Sequence, residues 1–166
     1  MDTDILEELY RKYYGPAILY CLRLCGDRDL AQDLVADAFV KAYLSLPNKA
    51  LSFRYWLLRV CRNLWIDHLR KKKWEASDEV LDYISNGITP EITYLQNEQQ
   101  QFLWKCISEL SPLDRELVTL HYFSEISLQE AAAILGKSYN ATRQRMVRLR
   151  QILRLKMEEQ GYDRKL

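Results

Sequence analysis

The chain has 166 residues, 48% of them hydrophobic, with only five Gly and four Pro, which fits a folded helical protein and excludes a disordered tail. No apolar run approaches the roughly 18 residues a membrane span needs, and the polar start Met1-Asp2-Thr3-Asp4 lacks the basic end and apolar core of a secretory signal. A cytoplasmic protein without membrane insertion is therefore expected. The formal net charge of +1 hides a segmented pattern: residues 1–74 carry 13 Lys/Arg against 9 Asp/Glu, residues 75–104 carry 0 against 6, and residues 105–166 carry 11 against 8. Two basic lobes around an acidic middle suit two nucleic-acid contacts and a spacer.

Asp4 followed by Glu7 reads as a capping box. The apolar spacing of Ile5, Leu9 and Tyr13, resumed by Ile18 and Leu22 beyond Gly15-Pro16, predicts two helices or one broken helix before Gly26. Cys21 and Cys25 lie one helical turn apart and could share a metal. Neither histidine, His68 or His121, is near them in sequence, so no metal or cofactor is expected and the four cysteines read as reduced core thiols. Asp27 caps a second helix that turns Leu30, Leu34 and Ala38 inward and ends around Leu46-Pro47. Asp29, Asp33 and Asp37 recur every four residues along it as an acidic stripe, which by itself is an ordinary solvated face.

Residues 47–53 form a predicted loop, after which Ser52 caps a helix from Phe53 to Trp74. At 100° per residue, Leu57, Val60, Cys61 and Leu64 share one side of that helix, while Arg59, Arg62, Asn63, Ile66, Arg70 and Lys73 share the other. His68 projects with the apolar group as a packed histidine. Trp65 lies between the stripes, where its ring could cover the core edge or stack on an unpaired base. A coherent basic stripe of this kind favours nucleic-acid contact over a merely solvated face.

From Trp74 to Pro90 the apolar spacing fails and Ser, Asp, Asn, Gly and Pro accumulate, predicting a flexible acidic linker over 75–90 between domains at 1–74 and 91–166. Thr89-Pro90 reads as the start of a helix through Phe102 and Ile107 to Leu110. Ser111-Pro112 starts the next in the same way, burying Leu113, Leu117, Leu120 and Tyr122. Ser127-Leu128-Gln129-Glu130 is a capping box opening a short helix with Leu128, Ala131, Ala132 and Leu135 on one face, closed by Gly136. A second helix begins near Tyr139 and runs to about Glu158, completing a helix-turn-helix. Tyr139, Thr142, Met146, Leu149 and Leu153 make its buried stripe. Asn140, Gln144, Arg148 and Gln151 lie opposite, flanked by Arg143 and Arg145, so that guanidinium and amide donors suited to guanine and adenine edges share one face. No strand alternation occurs, and the fold class is all-α.

Two blocks resemble the extracytoplasmic-function sigma factors over nearly the whole chain. The first is GDRDLAQDLVADAFVKAY (26–43) followed by SFRYWLLRVCRNLWIDHLRKK, similar to the family's second conserved region; the other is LSPLDRELVTLHYFSEISLQEAAAILGKSYNATRQRMVRLR (110–150), similar to its fourth. The resemblance implies a protein that binds core RNA polymerase, through the coiled coil of the largest subunit and the flap of the second, and that answers to an anti-sigma factor. It implies that the first lobe docks through Asp33, Asp37 and Leu34 and melts the minus-10 promoter element. Asn63 would contact an extruded base there, with Arg59, Arg62, Ile66, Arg70, Lys73 and Phe53 around it. It implies that Asn140, Arg143, Gln144, Arg145 and Arg148 read the minus-35 element as duplex. The sequence departs from the family at Ala36 and Asp37, where glutamine and glutamate are usual, and at Tyr139-Asn140-Ala141, which replaces the usual Gly-Thr turn.

A competing reading is a repressor or activator that binds an operator through the helix-turn-helix and senses or dimerises through the N-terminal lobe; polymerase dependence separates the two. No catalytic set is legible. There is no phosphate-cradling glycine loop and no nucleophile elbow, and His121, Asp114 and Glu125 read only as scattered helix-surface groups.

Overall fold

The computed structural model describes residues 3–45, 52–75 and 97–162, and every described element is helical. The chain divides into two compact units, Met1–Gly87 and Ile88–Leu166. The expected linker lies outside the described residues apart from Glu75, as do Leu46-Pro47, most of the 47–53 loop and Thr89-Pro90.

In the first unit, α1 (Thr3–Cys25), α2 (Arg28–Ser45) and α3 (Phe53–Glu75) pack against one another pairwise. Helix α1 is continuous through Gly15-Pro16. An interior proline costs about 3 kcal/mol, but beyond it Ala17, Tyr20, Cys21 and Cys25 are all buried. Full burial of a large apolar side chain stabilises by roughly 1.5–3 kcal/mol, so packing of this face outweighs the proline. The Asp27 carboxylate accepts the Leu30 N–H at 3.0 Å, and the Ser52 hydroxyl accepts the Tyr55 N–H at 3.1 Å, capping α2 and α3 as their sequences direct.

Ala31, Ala38 and Ala42 on α2 are fully buried and let the helices approach closely around Tyr20, Val35, Leu57 and Leu58. Cys21 and Cys61 are buried free thiols in this core. A hydrogen bond with Cys61, added to burial, drives the Cys21 thiol far above its usual range and keeps it a protonated, small apolar group. Where α1, α2 and the start of α3 meet, Tyr10, Tyr14, Phe39, Phe53, Tyr13 and Trp56 form an aromatic cluster with ring centroids 4.8–6.0 Å apart.

The second unit begins with α4 (Glu98–Ser108). Its N-cap, Asn97, has extended backbone, and its side-chain oxygen accepts the Gln100 N–H at 2.8 Å. The sequence reading of one helix from Pro90 through Ile107 is thereby corrected, because a capping asparagine ends continuity where it satisfies an orphan N–H. Ser111 caps α5 (Pro112–Val118), with Pro112 at its first position.

A π-helical turn over Thr119–Phe123 comes directly after α5, closed by Ser124 N–H on the Thr119 carbonyl at 3.0 Å. The extra residue per turn rotates the side chains of this segment about the helix axis, so Tyr122, expected inside, is 48% exposed. Leu117 and Leu120 remain in the core, joined by Ile126 from the loop beyond.

Helix α6 (Leu128–Leu135) opens with the complete Ser127–Glu130 capping box and ends at Gly136, whose φ is +65°. Helix α7 (Tyr139–Glu159) is capped by Ser138 and packs on α4, α5 and α6 through Thr142, Met146, Leu149, Leu153 and Met157. Tyr139, placed in the buried stripe by periodicity, is 47% exposed; it is the first residue of α7, and the buried stripe begins one turn later at Thr142. Lys156 bonds Glu109 across α7 and α4 at 2.9 Å and holds that carboxyl below its usual range.

Gly136→Ala is expected to lower stability by about 1–2 kcal/mol, since a left-handed conformation is disfavoured for any residue with a Cβ. A Cβ there meets no atom within 4 Å, so the loss is conformational alone. Urea melts followed by circular dichroism measure it, and Gly136→Asn should lose less.

Candidate nucleic-acid and polymerase interfaces

On α3 the expected basic stripe faces outward. Asn63, Arg59, Arg70 and Lys73 are exposed, and Arg62 and Ile66 are half-buried at its edge, opposite the buried Leu57, Leu58 and Cys61. The Arg59 guanidinium donates to the Tyr55 hydroxyl at 3.3 Å, while Arg70 lies 3.8 Å from Asp67. Trp65 is half-buried with its ring stacked on His68, centroids 5.8 Å apart. Phe53 differs from the rest of the expected set. It is half-buried between Tyr13, Phe39 and Trp56, so its ring serves the aromatic cluster.

On α2, Asp29, Asp33 and Asp37 are exposed as the four-residue spacing requires. Leu34, named with them as a docking residue, is 5% exposed, and that expectation is corrected: its side chain points into the three-helix core and supports the stripe from beneath. Beside Asp33 lies an open groove walled by Tyr10, Tyr14, Phe39, Val40 and Tyr43. Val40 is 57% exposed and Tyr43 52%. Sequence reading missed this aromatic wall, although tyrosines at 10 and 14 on one helix, with Phe39 and Tyr43 four apart on the next, are its signature.

On α7, Asn140, Arg143, Gln144, Arg148 and Gln151 are exposed on the side away from the core. The short α6, the left-handed Gly136 and the capped α7 leave this face free of the rest of the unit. Arg145 is different: it is half-buried and its Nε–H donates to the Asp114 carboxylate on α5. Arg150 donates to the hydroxyl of Tyr122 and its guanidinium sits 5.8 Å from that ring, tying α7 to the π-turn.

These features define an all-α protein of two units, the second carrying a helix-turn-helix whose second helix presents guanidinium and amide groups. The Sigma-70 region 2 family model matches residues 9–75 and the Sigma-70 region 4 model residues 101–153. The chain is 30% identical over 152 residues to the ECF RNA polymerase sigma factor SigM of Bacillus subtilis, covering 90% of this chain and 93% of that one. It is 28% identical over 171 residues to SigW of the same organism, covering 95% and 91%. Among solved structures, the sigma factor RpoE of Bartonella quintana, in complex with the anti-sigma factor NepR, superposes with a TM-score of 0.71 at 26% identity, covering 95% of this chain and 98% of that one.

The chain belongs to the extracytoplasmic-function RNA polymerase sigma factors. Members of this family are DNA-binding regulators that bind core RNA polymerase and direct promoter-specific transcription initiation. Among the described residues no helix is long and apolar enough to cross a membrane.

Proposed function

We propose that residues 1–74 dock on core RNA polymerase through the acidic stripe of α2 and open the minus-10 element along α3, while residues 91–166 read the minus-35 element through α7. The protein catalyses nothing itself and works in the cytoplasm, and an anti-sigma factor, the kind of partner solved with the Bartonella quintana relative, controls it. On α3, Asn63 takes an extruded base, Ile66 lines its edge, and Arg59, Arg62, Arg70 and Lys73 follow the backbone phosphates. Phe53 acts indirectly, by holding the start of α3. On α7, Asn140, Gln144 and Arg148 face base edges, and Arg143 faces phosphate.

The observation that supports this most is the division of α7. Thr142, Met146, Leu149 and Leu153 are buried, while Gln144 and Arg148 stand exposed one turn apart on the other side. A helix anchored on one face and bearing forked donors on the other is the form that enters a major groove. Run-off transcription with core polymerase on a library of genomic promoters tests the whole reading. Discrete transcripts dependent on this chain are expected. Operator binding without polymerase, and no transcripts with it, would favour the repressor reading instead.

Arg148→Ala is expected to lose roughly 1–3 kcal/mol of binding and to relax discrimination at one or two minus-35 positions, because a forked base contact is lost. Arg143→Ala should weaken all promoters alike and reduce the salt slope by about one unit. Holoenzyme binding to minus-35 variants at several salt concentrations separates the two. A uniform loss in Arg148→Ala, with the ranking of variants unchanged, would make Arg148 a phosphate contact.

A further inference from the structure

We propose that Arg145 is a positioning residue, held by Asp114 to set the angle at which α7 presents its reading face, and that it is not a phosphate contact; this rests on the minus-35 reading of α7. Arg145 follows Gln144 directly and precedes Arg148 by three residues, so its anchorage fixes the middle of the reading face. Its side chain is 37% exposed and that of Asp114 18%, and its Nε–H donates to Oδ1 of Asp114, 31 residues away in sequence. The carboxylate is itself held from the other side. The Ser111 hydroxyl donates to Oδ2 at 2.8 Å and accepts the Asp114 N–H at 3.3 Å, which fixes Asp114 in the first turn of α5.

One carboxylate thus joins the capped start of α5 to the second turn of α7. The pair carries no net charge. A phosphate approaching Arg145 would meet the Asp114 carboxylate beside it, so the side chain offers little of the attraction that Arg143 offers. A partly buried guanidinium bonded through Nε to a carboxylate that is independently oriented has a defined direction, unlike an exposed pair between two free side chains.

The two roles predict opposite results when Asp114 loses its charge. If Arg145 contacts phosphate, removing its competitor strengthens binding to every sequence. If Arg145 positions α7, removing its anchor weakens specific binding and flattens discrimination. The experiment measures holoenzyme binding to a cognate promoter, a set of minus-35 variants and nonspecific duplex, at several salt concentrations. The proteins are the parent, Asp114→Asn, Asp114→Glu, Arg145→Ala and the double variant Asp114→Asn/Arg145→Ala, with circular dichroism melts of each.

Asp114→Asn and Arg145→Ala should each lower specific affinity about tenfold, which is about 1.4 kcal/mol, with nonspecific affinity little changed. The double variant should be no worse than either single one, as expected when both remove the same coupling. Arg145→Ala should leave the salt slope of the parent unaltered, and Asp114→Glu should recover part of the discrimination. Should Asp114→Asn melt below the assay temperature, the comparison of Asp114→Glu with Arg145→Ala decides by the same criteria. Unchanged or tighter specific binding in Asp114→Asn, or a salt slope lower by about one unit in Arg145→Ala with all sequences weakened alike, would overturn the inference. If the parent itself binds all minus-35 variants equally, the minus-35 reading of α7 falls and this inference with it; if the parent discriminates and the variants do so equally well, only the inference falls.

Discussion

Asp33→Arg combined with Asp37→Arg is expected to weaken binding to core polymerase by at least about a hundredfold, equivalent to about 2.7 kcal/mol, while leaving helix content unchanged. Both carboxylates are exposed one turn apart on α2, and Asp33 borders the groove walled by Tyr10, Tyr14, Phe39, Val40 and Tyr43. A partner surface that meets this face must carry complementary charge over an apolar strip. Reversing two charges replaces attraction with repulsion at each point of contact, and like-charge juxtaposition at an interface costs several kcal/mol. The fold should tolerate the change because Leu34, Val35 and Ala38, which hold α2 in place, are untouched and buried. Co-purification with core polymerase and circular dichroism measure the two halves of this expectation. A double variant that folds and co-purifies as well as the parent would show that the acidic stripe is only a solvated face.

Asn63→Ala is expected to slow open-complex formation on duplex promoters by roughly tenfold or more, while core binding stays at the level of the parent. Extruding a base from the stack costs a few kcal/mol, and a side chain that contacts only the extruded base helps to offset that cost. Asn63 is exposed on α3, so the substitution removes no core packing. On a pre-melted template the unpairing has already been met, and a large part of the activity should return. Asn63→Asp keeps the shape but replaces two amide donors with acceptors, and should fail in the same template-dependent way. Equal loss on melted and duplex templates, accompanied by poor core binding, would mark Asn63 as a structural residue.

Most of the caps and most of each helix face were legible in the sequence because the forces behind them are local; Asp4, read as a cap, instead lies in the first turn of α1. Asp27, Ser52, Ser111-Pro112 and the Ser127–Glu130 box each satisfy N–H groups within three residues, and Gly136 supplies a left-handed turn on its own. The outward faces of α3 and α7 follow from a period of 3.6 residues once the opposite stripe is buried. The same local rule acts at Asn97 and Ser138, which cap α4 and α7, although the sequence reading started α4 at Pro90 and named neither residue as a cap.

Tertiary structure decided the rest, since it depended on residues far apart in the chain. Helix α1 runs through Pro16 because the residues beyond it are buried against α2 and α3, which no local preference encodes. Tyr122 turns outward because a π-turn lets Leu120 and Ile126 both reach the core, and Arg150 then finds its ring and hydroxyl from 28 residues away. Leu34 belongs to the core, and Phe53 to an aromatic cluster drawn from three helices. Sequence periodicity ranks Arg143 and Arg145 as equal flanks of α7. Only the packing of α5 against α7 brings Asp114 to one of them and leaves the other exposed, because a side-chain direction fixes which solvent a cation can reach but not which distant carboxylate folding carries to it.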